Sequence, residues 1–180
     1  MKKLFISLTV LFVLVMSACS NGSTDKKNDA KGSKSETITY QSENGKVEVP
    51  ANPKRVVVLS SFAGNVMSLD VNLVGVDSWS KQNPRFDSKL KDVAEVSDEN
   101  VEKIAELNPD LIIGLSNIKN VDKLKKIAPT VTYTYGKVDY LTQHLEIGKL
   151  LNKEKEAKTW VDDFKKRAQE AGKEIKAKIR

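Results

Sequence analysis

Continuous apolar runs constrain this chain most. Arg55-Val56-Val57-Val58-Leu59 and Asp110-Leu111-Ile112-Ile113-Gly114-Leu115 show no alternation of apolar and polar residues. A strand with one wet face alternates, whereas an unbroken β-branched run is buried on both faces, as in a parallel sheet. Leu73-Val74-Gly75-Val76 and Thr130 to Tyr135 add two further strands. Between them lie segments with helical spacing. Phe62 to Leu69 is one, with Ser60-Ser61 placed to cap it. Asn100 to Leu107 is another, carrying Val101, Ile104, Ala105 and Leu107 on one face and stopped by Asn108-Pro109. Val121, Leu124, Lys125 and Ala128 fit a helix ended by Pro129, and Asp139 to Leu151 fits a helix with Leu141, Leu145, Gly148 and Leu151 along one side. This alternation predicts an α/β fold, a three-layer domain built on a mostly parallel sheet. Its crossovers are expected to be right-handed. Ligands of such sheets sit beyond the carboxyl ends of the strands. Those ends are residues 60–64, 77–86, 116–120 and 135–138.

Both ends of the chain differ from this middle. Thr37-Ile38-Thr39-Tyr40 and Lys46-Val47-Glu48-Val49 alternate around Glu43-Asn44-Gly45, which predicts an N-terminal β-hairpin. Before it, Met1-Lys2-Lys3 precedes an apolar run from Leu4 to Val15, about 12 residues where a bilayer span needs about 20. Two lysines, a short apolar core and the small residues Met16-Ser17-Ala18-Cys19 make residues 1–18 a secretory signal peptide. Met16-Ser17-Ala18-Cys19 resembles the bacterial lipobox, although leucine is usual where Met16 stands. The resemblance implies that Cys19 is lipidated, and a diacylglyceryl anchor supplies two acyl chains, enough for stable attachment. Residues 19–36 then form a polar tether with Ala30 as its only apolar side chain after the cysteine. At the other end, residues 153–180 predict one helix of about 28 residues, roughly 42 Å long. Its stripe is Ala157, Trp160, Val161, Phe164, Ala168, Ala171, Ile175 and Ile179, and it runs to the last turn with no stop signal.

Chemistry is harder to find than binding. The chain has one His and one Cys, which excludes a disulfide framework and clustered His or Cys metal sites. His144 lies on a helix and is expected at its surface or boundary. No phosphate-binding glycine loop, nucleophile elbow or H-E-x-x-H is present. The net charge of +6 is interspersed with acids, so no nucleic-acid surface is expected. Aromatic and polar side chains do gather at the strand ends. Trp79 and Arg85 fall in residues 77–86, Tyr135 stands just before Gly136, and Ser61 and Phe62 follow the first buried run. Each aromatic alone is as easily core as ligand contact; together at one edge they favour a small-molecule cleft.

Several motifs carry a family resemblance. Pro53-Lys54-Arg55-Val56-Val57-Val58, Ser97-Asp98-Glu99-Asn100-Val101-Glu102-Lys103-Ile104, Asn108-Pro109-Asp110-Leu111-Ile112-Ile113 and Lys126-Ile127-Ala128-Pro129-Thr130-Val131 follow the lipobox in order. The chain resembles the substrate-binding lipoproteins of iron-siderophore ABC importers, specifically the iron(III)-hydroxamate group. The Ser78-Trp79-Ser80 segment followed by Asn83-Pro84 is similar to ferrioxamine-type binders. The resemblance implies two α/β lobes joined by one long helix. Residues 37–152 then correspond to the N-terminal lobe and residues 153–180 to the inter-lobe helix, with the second lobe missing.

The same resemblance implies what the residues do. Glu102 matches a glutamate that docks onto the permease, and Tyr135 matches a tyrosine lining the siderophore cleft. Trp79, Arg85, Phe62 and Ser61 are cleft candidates by position. The ligand is a ferric siderophore that wraps its own iron, so no metal ligand and no cofactor are expected of the protein. The expected partners are the permease and the membrane, on the extracytoplasmic face of a single-membrane bacterium. Two alternatives remain beside it: a binder of another iron chelate, haem or vitamin B12, and a truncated lipoprotein acting only as an interaction domain. An enzyme is not expected.

Overall fold

The computed structural model describes residues 36–179. The predicted signal peptide, Cys19 and the predicted tether up to residue 35 lie outside them. Strand β1 (Thr37–Ser42) pairs antiparallel with β2 (Gly45–Pro50) as a hairpin. Gly45 has a φ of +108°, a conformation glycine reaches without steric cost. The Ser42 hydroxyl braces the turn, accepting from the Asn44 N–H at 3.1 Å and donating to the Gly45 carbonyl at 2.7 Å.

Strand and helix then alternate. The order is β3 (Val56–Val58), α1 (Ala63–Met67), β4 (Leu73–Val76), α2 (Ser78–Lys81), α3 (Asp87–Leu90), β5 (Ala94–Glu95) and α4 (Val101–Glu106). It continues with β6 (Leu111–Leu115), α5 (Val121–Leu124), β7 (Thr130–Tyr133), α6 (Tyr140–Leu150) and α7 (Glu154–Ile179). Strands β3 to β7 build a five-stranded sheet in the order β5-β4-β3-β6-β7, with every neighbouring pair parallel.

The continuous apolar runs are buried on both faces, as their lack of alternation requires. Val56, Val58, Leu111, Ile113, Val131 and Tyr133 pack with α1, α3, α6 and Ala157 of α7. Val57 and Ile112 point the other way and pack with Ile104 of α4, Leu124 of α5 and Ala128. The chain steps from β3 to β4 to β5 with α1 and α3 on one face. It then crosses back to β6 and β7 with α4 and α5 on the other. Reversing direction while changing face is what right-handed crossovers demand.

Three polar residues tie the amino ends of the central strands. The Asp110 carboxylate accepts from the Lys54 and Arg55 backbone N–H groups, and the Arg55 guanidinium donates to the Leu107 and Asn108 carbonyls.

Helix α6 ends in a Schellman motif. The Lys153 N–H donates to the Gly148 carbonyl at 2.7 Å and the Asn152 N–H to the Lys149 carbonyl at 3.2 Å, with Asn152 left-handed at φ +56°. The chain therefore turns back at once. Gly148 faces Ala157, and His144 and Tyr140 both meet Trp160, so α6 and α7 run antiparallel. Beyond Phe164, the predicted stripe of Ala168, Ala171, Ile175 and Ile179 is exposed.

The structure corrects several local expectations. Ser60 and Ser61 do not cap α1; Phe62 holds the cap position, and the Ser60 hydroxyl accepts from the Leu115 N–H at 3.1 Å instead. Bridging two strand ends satisfies a β6 donor that the sheet leaves open. Ala105 is exposed, because the α4 turn that buries Ile104 faces it outward. His144 is fully buried, covered by Trp160 at a ring separation of 4.5 Å. Residues 77–86 are not a plain loop, since α2 forms there behind an Asp77 cap. Strand β5 and helix α3 lacked any long apolar run to announce them.

Candidate functional site

The sheet order reverses between β3 and β6, and the crevice beyond those carboxyl ends is where open α/β sheets hold ligands. A cavity of about 300 Å³ lies there. Ser61 and Phe62 line it from the end of β3, and Leu115 from the end of β6. Tyr135, Gly136 and Val138 supply a rim from the loop after β7, and Asn65, Tyr140 and Gln143 close it from α1 and α6. Phe62 is held by an edge-on contact with Tyr133, ring centroids 5.5 Å apart. Tyr135 is 85% exposed, and Gly136 after it turns with φ +74°.

No charged side chain lines this cavity. Behind it, the buried Asn65 and His144 are joined at 3.3 Å between Asn65 Nδ2 and His144 Nδ1. Burial pushes the His144 pKa down, so the ring is neutral at pH 7. Trp160 covers that ring, meets Tyr140 edge-on at 6.3 Å and stacks on Phe164 at 5.6 Å. An aromatic ledge thus leads from the cavity onto α7. Burial likewise pushes the Tyr140 phenol up, keeping it a neutral donor.

The sequence-named residues divide into two groups. Tyr135, Phe62 and Ser61 come together at the cavity. Trp79 and Arg85 do not line it. Trp79 stands on α2 at 84% exposure, on a turn capped by Asp77, whose carboxylate accepts from the Ser80 N–H at 2.9 Å and its hydroxyl at 3.0 Å. Arg85 is exposed in the link between α2 and α3. Lys81 is committed elsewhere: its ammonium donates to the carbonyls of Leu90, Lys91 and Val93. Glu102 is exposed in the first turn of α4 and does not line the cavity.

Sequence reasoning missed Asn65, Tyr140 and Gln143. The signal available was weak: a polar residue inside each helix that follows a strand end. A larger depression of about 520 Å³ lies between the hairpin and α5, near Thr130 at the amino end of β7. The topology gives it no ligand-binding role, since it sits away from the strand carboxyl ends. Among the described residues, no cluster of His, Cys, Asp or Glu could hold a metal ion.

Comparison with known proteins points to one family. Residues 62–180 match the periplasmic binding protein family. The chain is 42% identical over 180 residues to the iron(3+)-hydroxamate-binding protein YxeB of Bacillus subtilis (strain 168), covering 97% of this chain and 56% of the relative. Among solved structures, unliganded FhuD2 from Staphylococcus aureus superposes with a TM-score of 0.75 at 38% identity, over 79% of this chain and 53% of that one. FhuD2 with bound ferrioxamine B gives a TM-score of 0.66 at 37% identity, over 69% and 49% of the two chains. The chain spans about half the length of the relatives it matches. This chain belongs to the periplasmic binding protein family.

Proposed function

We propose that the chain binds a ferric hydroxamate siderophore at the cavity beyond β3 and β6, and that the complex is delivered to an ABC permease for iron uptake. The observation that carries this reading is the cavity's lining, aromatic and neutral, at the sheet's switch point. Three hydroxamate groups cancel the charge of a ferric ion, whereas three catecholates leave a strongly anionic complex that calls for basic residues. Lys81 is spent on three carbonyls and Arg85 lies outside the cavity, so the lining presents no basic side chain to such an anion. Tyr135, Tyr140 and Phe62 suit the aliphatic arms of a hydroxamate, and the Asn65 and Gln143 amides its polar groups. The siderophore's own oxygens hold the iron, so the protein supplies no metal ligand. The similarity to YxeB and to FhuD2 with ferrioxamine B supports the same ligand class.

Glu102 is assigned the permease contact. An exposed carboxylate on a short helix can steer and orient a docking partner that carries basic residues. Cys19 is assigned the lipid anchor, which places the folded part on the extracytoplasmic face of the membrane. Binding without chemical conversion is the activity assigned.

The test is a fluorescence titration. Trp160 touches Tyr140 of the cavity and is the reporting tryptophan of the two present. Ferric ferrioxamine B, ferric citrate, a ferric catecholate and haem are added in turn. Saturable quenching by the hydroxamate alone supports the proposal. Selective quenching by another complex moves the ligand class, and no saturable response to any overturns the assignment.

A further inference from the structure

The hairpin and the cavity are far apart in sequence but meet at one carboxylate. Glu43 stands at the hairpin tip, between β1 and β2. Its Oε2 accepts from the Thr134 backbone N–H at 3.3 Å and from the Thr134 hydroxyl at 2.8 Å, and lies 3.4 Å from Lys137 Nζ. Thr134 and Lys137 bracket Tyr135 and Gly136, the outer rim of the cavity. The Lys137 N–H closes the same turn by donating to the Thr134 carbonyl at 3.2 Å. Apart from these contacts, residues 135–138 make no side-chain hydrogen bond among the described residues. Burial alone pushes the Glu43 carboxyl up, but the Thr134 hydroxyl and N–H, with Lys137, together hold it below its ordinary value.

We propose that Glu43 is a positioning residue for the ligand cavity: from outside it, the carboxylate clasps the Thr134–Lys137 turn so that the Tyr135 rim is formed before ligand arrives. The inference rests on the reading of this cavity as the siderophore site. A loop that must be ordered on binding lowers affinity by the entropy of ordering it, and a clasp already made removes that cost. The ion pair to Lys137 is partly exposed and contributes little by itself. The paired hydrogen bonds from Thr134 to an ionised acceptor are the stronger component. Glu43 does not line the cavity, so its effect on ligand must pass through Thr134.

Two readouts test this on the same chain: hydrogen exchange at the Thr134 amide, and affinity for ferric ferrioxamine B. In Glu43→Ala the Thr134 amide loses its acceptor and is expected to exchange at least about tenfold faster, with exchange in the central strands unchanged. The dissociation constant should rise about fivefold to tenfold, the expected size of a lost loop constraint. Glu43→Gln keeps an acceptor but not its charge, so it should recover part of both losses and lie between wild type and Glu43→Ala. Thr134→Val, which removes only the hydroxyl, should fall between them. Unchanged Thr134 exchange in Glu43→Ala overturns the clasp. Faster exchange with wild-type affinity overturns the positioning role. If the wild-type chain binds no ferric complex, the functional assignment fails and the ligand part of the proposal fails with it, while the exchange result still decides the clasp.

Discussion

Gly148 of α6 faces Ala157 of α7 closely, and adding one methyl there has a calculable effect. A Cβ on Gly148 would lie 2.4 Å from the Cβ of Ala157 and 3.3 Å from the Lys153 carbonyl oxygen. Neither neighbour is the far end of a flexible side chain, so the helices themselves must separate. Overpacking of this kind costs about 1–3 kcal/mol, and alanine's helix preference over glycine returns about 1 kcal/mol. Gly148→Ala should therefore destabilise by about 1 kcal/mol. Ala157→Gly, which loses helix preference and a buried methyl, should cost about 2 kcal/mol. The double variant keeps the alanine's helix preference and removes the methyl clash, so it should cost only about 1 kcal/mol in place of an additive 3. Urea unfolding of all four proteins, fitted with a common m-value, reads the cycle. Additivity within about 0.5 kcal/mol, or a Gly148→Ala protein more stable than wild type, would refute the packing argument. The seam matters to the cavity, since the same two helices hold Trp160 against His144 and Tyr140.

Three further outcomes follow from named contacts. His144 has its folded pKa lowered by burial, so the stability it contributes is complete above its unfolded value near 6.5 and is lost as pH falls through and below that value. Chemical denaturation from pH 7.5 to 5 should show that decline in wild type and not in His144→Gln. Lys81→Met should destabilise by about 2 kcal/mol, because three carbonyls lose a charged donor, and should raise hydrogen exchange between α2 and β5. Glu102→Arg should leave affinity for ferric ferrioxamine B unchanged while permease-dependent uptake is lost; equal loss of both in parallel binding and uptake assays would count against a docking role.

Much of the sheet was legible because burial on both faces leaves a direct mark on composition. Val56-Val57-Val58 and Leu111 to Leu115 had no polar side to show, and the structure buries Val57 and Ile112 against one layer and their neighbours against the other. The hairpin was legible from Asn44-Gly45, since few residues reach the φ that Gly45 adopts. Short elements were not. α2, α3 and β5 have too few residues for a period to emerge, and their positions depend on Asp77 capping and on Lys81 reaching three carbonyls. His144 was misplaced for a related reason: a helix face is buried by its neighbour, and the neighbour, Trp160, comes from a different element. The same holds for the cavity. Ser61, Phe62 and Tyr135 were readable because they sit at strand ends, while Asn65 and Gln143 enter from helix turns whose rotation only packing sets.

The central claim is that ligand sits beyond the carboxyl ends of β3 and β6. High-spin ferric iron broadens the NMR signals of nearby nuclei, and the diamagnetic gallium complex of the same siderophore does not. Titrating both complexes of ferrioxamine B into the chain locates the iron directly. The account predicts selective loss of the Ser61, Leu115, Tyr135 and Gly136 amide signals with iron, and unbroadened signals for residues 125–128 beside the larger depression. Broadening centred on residues 125–128, or spread evenly over the surface, would contradict it.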